Sequence, residues 1–319
     1  MEVKYSYWTK TRGVGGAIKV PEDFVVTEIL EKKFLRSFDH RNARRARSYN
    51  LIYFMKRSMT TREAIRRLGV HAGFAGLKDK FSVSYQYATS RDIPKETENP
   101  RIAWIRKTDY WLSPGSLRGN EFCITLHGAD EPDVRELVQR GMPNYFGPQR
   151  FSRENHEIGK LLVQRAYGQA LERINASYRK QCSLIEQVPK WKLKFFVNAY
   201  QSWLFNEMLA AYVRTAKQPL FREGTLFGYE TRLGRSASDG ILRDRAAQER
   251  IRPQDFRFSD LQLACSGGKR KLFIRPSVSF ENGKDRIVLK FFLPKGSYAS
   301  VVLNELCKKN PFPVSRVKG

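Results

Sequence analysis

The sequence predicts an α/β (α+β) fold: a sheet interrupted by one long, mainly helical insertion. Two observations carry this. Short strand-like runs fill the first half and return at 271–274 and 286–293. Between them, 155–212 reads as helix, 195–209 included. With 319 residues, 41% of them hydrophobic, the chain can bury one large core or two ordinary ones.

The elements follow in order. Residues 17–20 and 24–29 read as two short strands around the turn-forming Pro21-Glu22-Asp23. The basic stretch 32–47, with Arg44, Arg45 and Arg47, reads as a loop that an RNA would order, because like charges repel until an anion arrives. Residues 50–56 form a strand, and Thr60 or Thr61 caps a helix running into Ala64 and Ile65. Residues 122–126 alternate as a strand. An amphipathic helix over 133–140 places Val134, Leu137 and Val138 on one face. Residues 144–151 make an aromatic turn cornered by Gly147-Pro148. Over 224–260 glycine and charge rise and periodicity fades. Residues 296–306 turn into a helix with Ser297 as cap.

Charge narrows the function. Lys and Arg number 58 against 32 Asp and Glu, a formal net charge of +26. Such a field gathers polyanions. With many aromatic rings present, nucleic acid is favoured over an anionic membrane, since basic patches and stackable rings suit unpaired bases. No run of about 18 apolar residues suggests a membrane span, and the N-terminus lacks a secretory apolar stretch. Four cysteines, Cys123, Cys182, Cys265 and Cys307, show no CxxC spacing, and four histidines lie far apart. This favours neither a metal site nor a disulfide framework, and fits a reduced, cytoplasmic setting. Gly13-Val14-Gly15-Gly16 is neither a dinucleotide fingerprint nor a phosphate loop, so a cofactor-free reaction is the simplest expectation.

Four segments are candidates for chemistry. Asp79 stands between Lys78 and Lys80, after Gly76. Such a triplet is commonly an exposed turn. It can also present a nucleophilic carboxylate, the kind that acts at sugar anomeric carbons, with a nearby cation holding the charge. Residues 144–151 are a packed turn or a pocket wall. In the second reading Phe146 stacks on a base, Asn144 orients a carboxylate or base edge, and Arg150 meets phosphate or structures the loop. Tyr298, after Gly296-Ser297, sits at a strand–turn–helix junction or stacks on a base. Lys19 is a solvated edge lysine or meets a phosphate or carboxylate.

Together these segments resemble the TruD family of tRNA pseudouridine synthases. The family's KxxPEDFxVxE pattern is matched by Lys19-Val20-Pro21-Glu22-Asp23-Phe24-Val25-Val26-Thr27-Glu28, one residue shorter before the proline. GxKDKxxVxxQ is matched from Gly76 through Asp79 to Val83 and Gln86, and NYFGxQRF from Asn144 to Phe151. LPxGSFAxxVxxEL is matched from Leu293 to Leu306, with Tyr298 for Phe. Arg118-Gly119-Asn120 followed by Phe122 resembles RGNxF, and the segment ending Leu204-Phe205-Asn206 resembles SAxQSxLFN.

The resemblance implies a pseudouridine synthase catalytic domain with a mixed, largely antiparallel sheet, formed by 1–154 and 269–319, and an insertion domain over 155–268. It implies isomerisation of uridine 13 in the tRNA D-arm by a monomer, with no cofactor, metal or membrane. Asp79 takes the place of the catalytic aspartate, Asn144 of the residue that positions it, and Phe146 and Tyr298 of the pocket rings. Lys19 matches a lysine near the active site. Arg44, Arg45, Arg47, Lys78 and Arg150 are candidate RNA contacts. The insertion looks shorter and more basic than in many members. An RNA-binding or tRNA-folding protein with secondary catalysis, and the same chemistry on another tRNA, rRNA or mRNA site, remain as alternatives.

Overall fold

The computed structural model describes residues 5–35, 49–179, 181–309 and 311–312. Arg44, Arg45 and Arg47 lie outside the described residues. At its centre is a nine-stranded sheet. The first strands are β1 (Gly15–Ala17), β2 (Phe24–Leu30), β3 (Tyr49–Arg57), β4 (Ala72–Phe74), β5 (Val83–Ser90), β6 (Arg101–Thr108), β7 (Leu117–Ala129) and the short β8 (Met142–Pro143). Later come β9 (Glu223–Leu226), β10 (Arg257–Phe258), β11 (Leu263–Ala264), β12 (Gly268–Lys271), β13 (Phe273–Ile274), β14 (Ser277–Gly283) and β15 (Arg286–Pro294). The sheet runs β14-β15-β7-β2-β5-β3-β6, with β1 beside β7 and β4 beside β5. The β2–β5 pair is parallel, and the other pairs of this sheet are antiparallel. Strands β14 and β15 thus rejoin, after the helical stretch, the sheet begun by β1–β7.

The helices are α1 (Lys32–Leu35), α2 (Thr61–Arg67), α3 (Arg135–Arg140), α4 (Asn155–Val163), α5 (Tyr167–Tyr178), α6 (Lys190–Thr215), α7 (Ala237–Gln248) and α8 (Ala299–Cys307). Alternation along the strands decides which side they cover. On β2, Phe24, Val26, Glu28 and Leu30 are buried, while Val25, Thr27 and Ile29 are only partly covered. Tyr53, Tyr85, Tyr87 and Trp104 form a row of rings on β3, β5 and β6. Helix α6 is buried on most sides, through Leu193, Phe196, Val197, Tyr200, Trp203 and Leu204. Gly159 lets α4 approach it: a Cβ there would stand 2.1 Å from the Phe196 carbonyl oxygen. One buried cluster joins Phe24, Ile124 and Leu289 of the sheet to Ile158, Leu204 and Phe256 of the helical stretch.

Several local expectations hold. Thr60 caps α2, its hydroxyl accepting the Glu63 N–H at 3.2 Å. Others change for physical reasons. The strand expected over 17–20 ends at Ala17, because the N–H groups of Lys19 and Val20 donate to the Asp23 carboxylate instead of a ladder. On α3, Leu137 is fully buried but Val138 is 40% exposed, so this six-residue helix presents a narrower apolar face than the pattern suggested. The run 271–274 divides at Leu272, with β12 pairing to β9 and β13 to β8. A helix, α7, occupies part of 224–260, capped by Ser236. Ser297 does not cap α8. Tyr298 holds the N-cap position, and the Ser297 hydroxyl donates to Asn144.

Candidate active site

The loop carrying Asp79 is fastened from several directions. The Thr61 hydroxyl, at the start of α2, accepts the Lys78 N–H at 2.8 Å and donates to Gln86 Oε1 at 3.1 Å. Gln86 Nε2 donates to the Gly76 carbonyl at 3.3 Å. Lys78 Nζ lies 2.5 Å from Glu28 Oε1, and Glu28 Oε2 accepts the Tyr87 N–H at 3.0 Å. Glu28 is 1% exposed. A buried ion pair adds little net stability, but it fixes geometry because breaking it strands a charge. Lys78 is therefore committed to Glu28 rather than presented to phosphate. Gly76 has no positive φ, and a Cβ there would meet its nearest neighbour at 3.4 Å, ordinary contact.

Lys56 closes the loop from behind. It is 0% exposed. Its ammonium donates to the carbonyls of Met59 and Asp79, each at 2.7 Å. Burial pulls its pKa down to about 8, partly opposed by the nearby Asp79 charge. The Ser82 hydroxyl also donates to the Asp79 carbonyl, at 2.8 Å. The carboxylate itself accepts the Phe81 N–H on Oδ1 at 3.1 Å and Gln149 Nε2 on Oδ2 at 3.4 Å. The second bond is long for its type. It joins the Asp79 loop to the segment 144–151.

That segment forms the facing bank. Asn144 is 5% exposed. Its amide donates to the Lys271 carbonyl at 3.0 Å, and its oxygen accepts Arg270 Nη2 and Ser297 Oγ, each at 3.0 Å. Asn144 thus braces β12 and the turn before α8, and Gln149 is the residue of this motif that reaches Asp79. Arg270 also donates to the carbonyls of Asn144, Tyr145 and Gly296, and its guanidinium lies 4.0 Å from the Phe146 ring centroid. Burial lowers its pKa to about 10, which leaves it cationic at neutral pH. Phe146 is half-buried, edge-on to Phe205 at 5.8 Å and tilted to Tyr298 at 6.1 Å. Its backbone is clamped by Asn206 of α6, through bonds of 2.8 and 2.9 Å. Gly147 is required by close approach: a Cβ there would stand 2.7 Å from both the Tyr298 ring and the Ser300 hydroxyl.

Arg150 packs against α6, donating to Ser202 Oγ at 3.2 Å and lying over Phe195 at 5.3 Å. Burial lowers its pKa. It structures the loop, one of the two roles its sequence position allows. Lys19 is exposed, and its backbone N–H is held by Asp23. The cation behind the Asp79 loop is Lys56.

The structure therefore brings Asp79 against Gln149, whose segment also carries Asn144 and Phe146, with Tyr298 packed beside Phe146. Sequence reasoning did not single out Lys56, Gln149 or Arg270. Gln149 stood within a quoted motif. Lys56 had a phase signal, since it follows Ile52 and Phe54 at inward positions of β3. Arg270 had none, lying 126 residues from its partner Asn144. Among the described residues no group of three His, Cys, Asp or Glu could hold a metal ion, and no helix is long and apolar enough to cross a membrane.

A mixed sheet with an acid-bearing loop facing an aromatic, cation-braced wall defines a class of α/β enzyme. The comparisons sharpen this. The family model described as tRNA pseudouridine synthase D (TruD) matches residues 3–183 and 214–306, and the chain belongs to that family. It is similar to the "Probable tRNA pseudouridine synthase D" of Pyrococcus abyssi, 27% identical over 405 residues, covering 95% of this chain and 98% of the relative. It is also similar to the tRNA pseudouridine synthase D of an Anaeromyxobacter species, 28% identical over 349 residues, with 93% of each covered. A crystal structure from Methanosarcina mazei, named for tRNA pseudouridine synthase D (TruD), shares the fold with a TM-score of 0.69 at 21% identity, covering 96% of each chain. The first alignment, at 405 positions, is longer than this chain of 319 residues, so that relative carries segments this chain lacks.

Proposed function

We propose that this protein isomerises a uridine of tRNA to pseudouridine, at uridine 13 of the D-arm, with Asp79 as the acting acid. Family membership supports the reaction and the tRNA substrate. The observation that carries the residue assignment is the hold on Asp79. Its backbone carbonyl is fixed by Lys56 and Ser82, and its carboxylate points to Gln149 at the foot of the aromatic wall.

The chemistry needs a carboxylate at the sugar. It either attacks C1′, so that the N1–C1′ bond breaks and its electron pair leaves with the uracil, or takes a sugar proton as that same bond breaks, to give a glycal-like intermediate. In either route the uracil turns and C5 bonds to C1′, while the carboxylate leaves C1′ in the first route or the sugar regains its proton in the second; the C5 proton is then lost and N1 gains one. An isomerisation adds no atoms and no electrons, so no co-reactant is consumed. Extruding the base from its stack costs a few kcal/mol. Rings such as Phe146 and Tyr298 return about 1–3 kcal/mol per base by stacking. The net charge of +26 holds the rest of the RNA. In this reading 155–268 is an insertion that backs the aromatic wall through Asn206 and Ser202. Mapping pseudouridines in RNA from cells with and without the protein tests it. Loss of the D-arm modification is expected, and loss at another RNA site instead would overturn the target.

A further inference from the structure

Trp191 has no evident packing role. It is 62% exposed, on the first turn of α6, while the other aromatic rings of that helix are buried or half-buried. Its contact is with a cation: the Arg62 guanidinium lies 5.8 Å from its ring centroid. The pair spans two parts of the structure that flank Asp79. Arg62 follows Thr61, whose hydroxyl holds the Lys78 N–H of the catalytic loop. Trp191 precedes by one helical turn Phe195, which carries the Arg150 guanidinium at 5.3 Å. Arg150 in turn follows Gln149, the residue that reaches Asp79. Lys190 and Lys194, one residue before and three after Trp191 on the same helix, are exposed, with the Lys190 ammonium donating to Gln262 Oε1 at 2.9 Å. Trp191 also lies in 184–213, outside both parts of the family match.

We propose that Trp191 and Arg62 form a second stacking site, beside the helix start that holds the Asp79 loop, for an unpaired base of the RNA next to the target uridine. The inference rests on the reading of this chain as an RNA-modifying enzyme. The chemistry is that of single-strand capture. An indole face accepts any base, a guanidinium on the ring strengthens the stack, and the exposed Lys194 one turn on draws an adjoining phosphate. Because the two residues come from α2 and α6, a base seated there ties together the bank that carries Asp79 and the bank that carries Phe146.

The test uses the full chain, an in-vitro-transcribed tRNA and a blunt RNA duplex without unpaired bases, at one fixed salt concentration. Trp191→Ala is expected to weaken tRNA binding about 5- to 150-fold, the range for one stacked base, and to leave duplex binding as in the parent. Trp191→Phe, which keeps a ring, is expected to retain most of the affinity. Equal losses on tRNA and duplex, or no loss on tRNA, would overturn the proposal. The urea midpoint of Trp191→Ala is expected to match the parent, because the ring is exposed. If the parent binds tRNA but forms no pseudouridine, the functional reading fails, while the stacking site is still decided by the binding comparison.

Discussion

Lys56 gives the most exacting test of how the Asp79 loop is held. Its ammonium is fully buried, and its pKa falls from the ordinary 10.5 to about 8 because burial disfavours the charged form. The folded state therefore releases this proton earlier than the unfolded chain does. Between about pH 8 and 10.5 the unfolded state binds more protons at this site, so the site's contribution to stability rises with pH through that window. A gap of two to three units corresponds to about 3 kcal/mol. The perturbation is Lys56→Met, which keeps the length of the side chain and removes the titration. The assay is urea unfolding of parent and variant from pH 7 to 10.5. Taking the difference between them cancels groups that titrate in both. The parent is expected to gain about 3 kcal/mol on the variant over the window. Parallel curves would refute the claim that Lys56 is a buried, charge-strained anchor. The same deprotonation removes a positive charge behind Asp79, so single-turnover pseudouridine formation is expected to fall as pH rises through about 8. A flat profile to pH 9.5 would show that the reaction does not use that charge.

Other consequences are more direct. Phe146→Ala should lower kcat/KM about 5- to 150-fold, the worth of one stacked base, and unchanged kinetics would mean the ring only packs against Phe205 and Arg270. Glu28→Gln leaves the Lys78 ammonium without its buried partner, which should cost about 3–5 kcal/mol of stability by thermal or urea unfolding. An unaltered midpoint would show that the pair does not hold the loop. tRNA affinity should fall linearly and steeply on a log–log plot against salt, and a flat response from 50 to 200 mM would contradict the electrostatic role of the +26 charge.

How much of this was legible in the sequence depended on which way polar residues point. Strand β15 keeps apolar residues on the buried side and reads clearly from alternation, as do β2 and β3 apart from the inward Glu28, Asn50 and Lys56. Strand β5 inverts that rule. Ser84 and Gln86 point inward, where they serve the Asp79 loop, while Val83, Tyr85 and Tyr87 lie on the more open side. Strand β14 is mostly exposed, so little selects apolar residues along it. Helix α7 buries only Ser238, Leu242 and Ala246, too few apolar positions to show a period. At the site, Asp79, Asn144, Phe146 and Tyr298 were visible because each stands in a dense local motif. Their supports were not, because they act across the fold. Arg270 braces Asn144 from the far side of the helical stretch, and Ser297 binds that same side chain instead of capping its own helix. The return of strands after the helices was legible, and β14 and β15 do rejoin the first sheet. The continuous core that runs through both parts was not, since contacts between distant segments leave no local pattern.

The central claim is that Asp79 performs the isomerisation on a tRNA uridine. It is tested most directly by incubating tRNA transcript with the parent protein and with Asp79→Asn, at concentrations giving equal RNA occupancy, and mapping pseudouridine at single-nucleotide resolution. The account predicts pseudouridine at position 13 with the parent and none with Asp79→Asn. Formation of pseudouridine by Asp79→Asn at a comparable rate would contradict it.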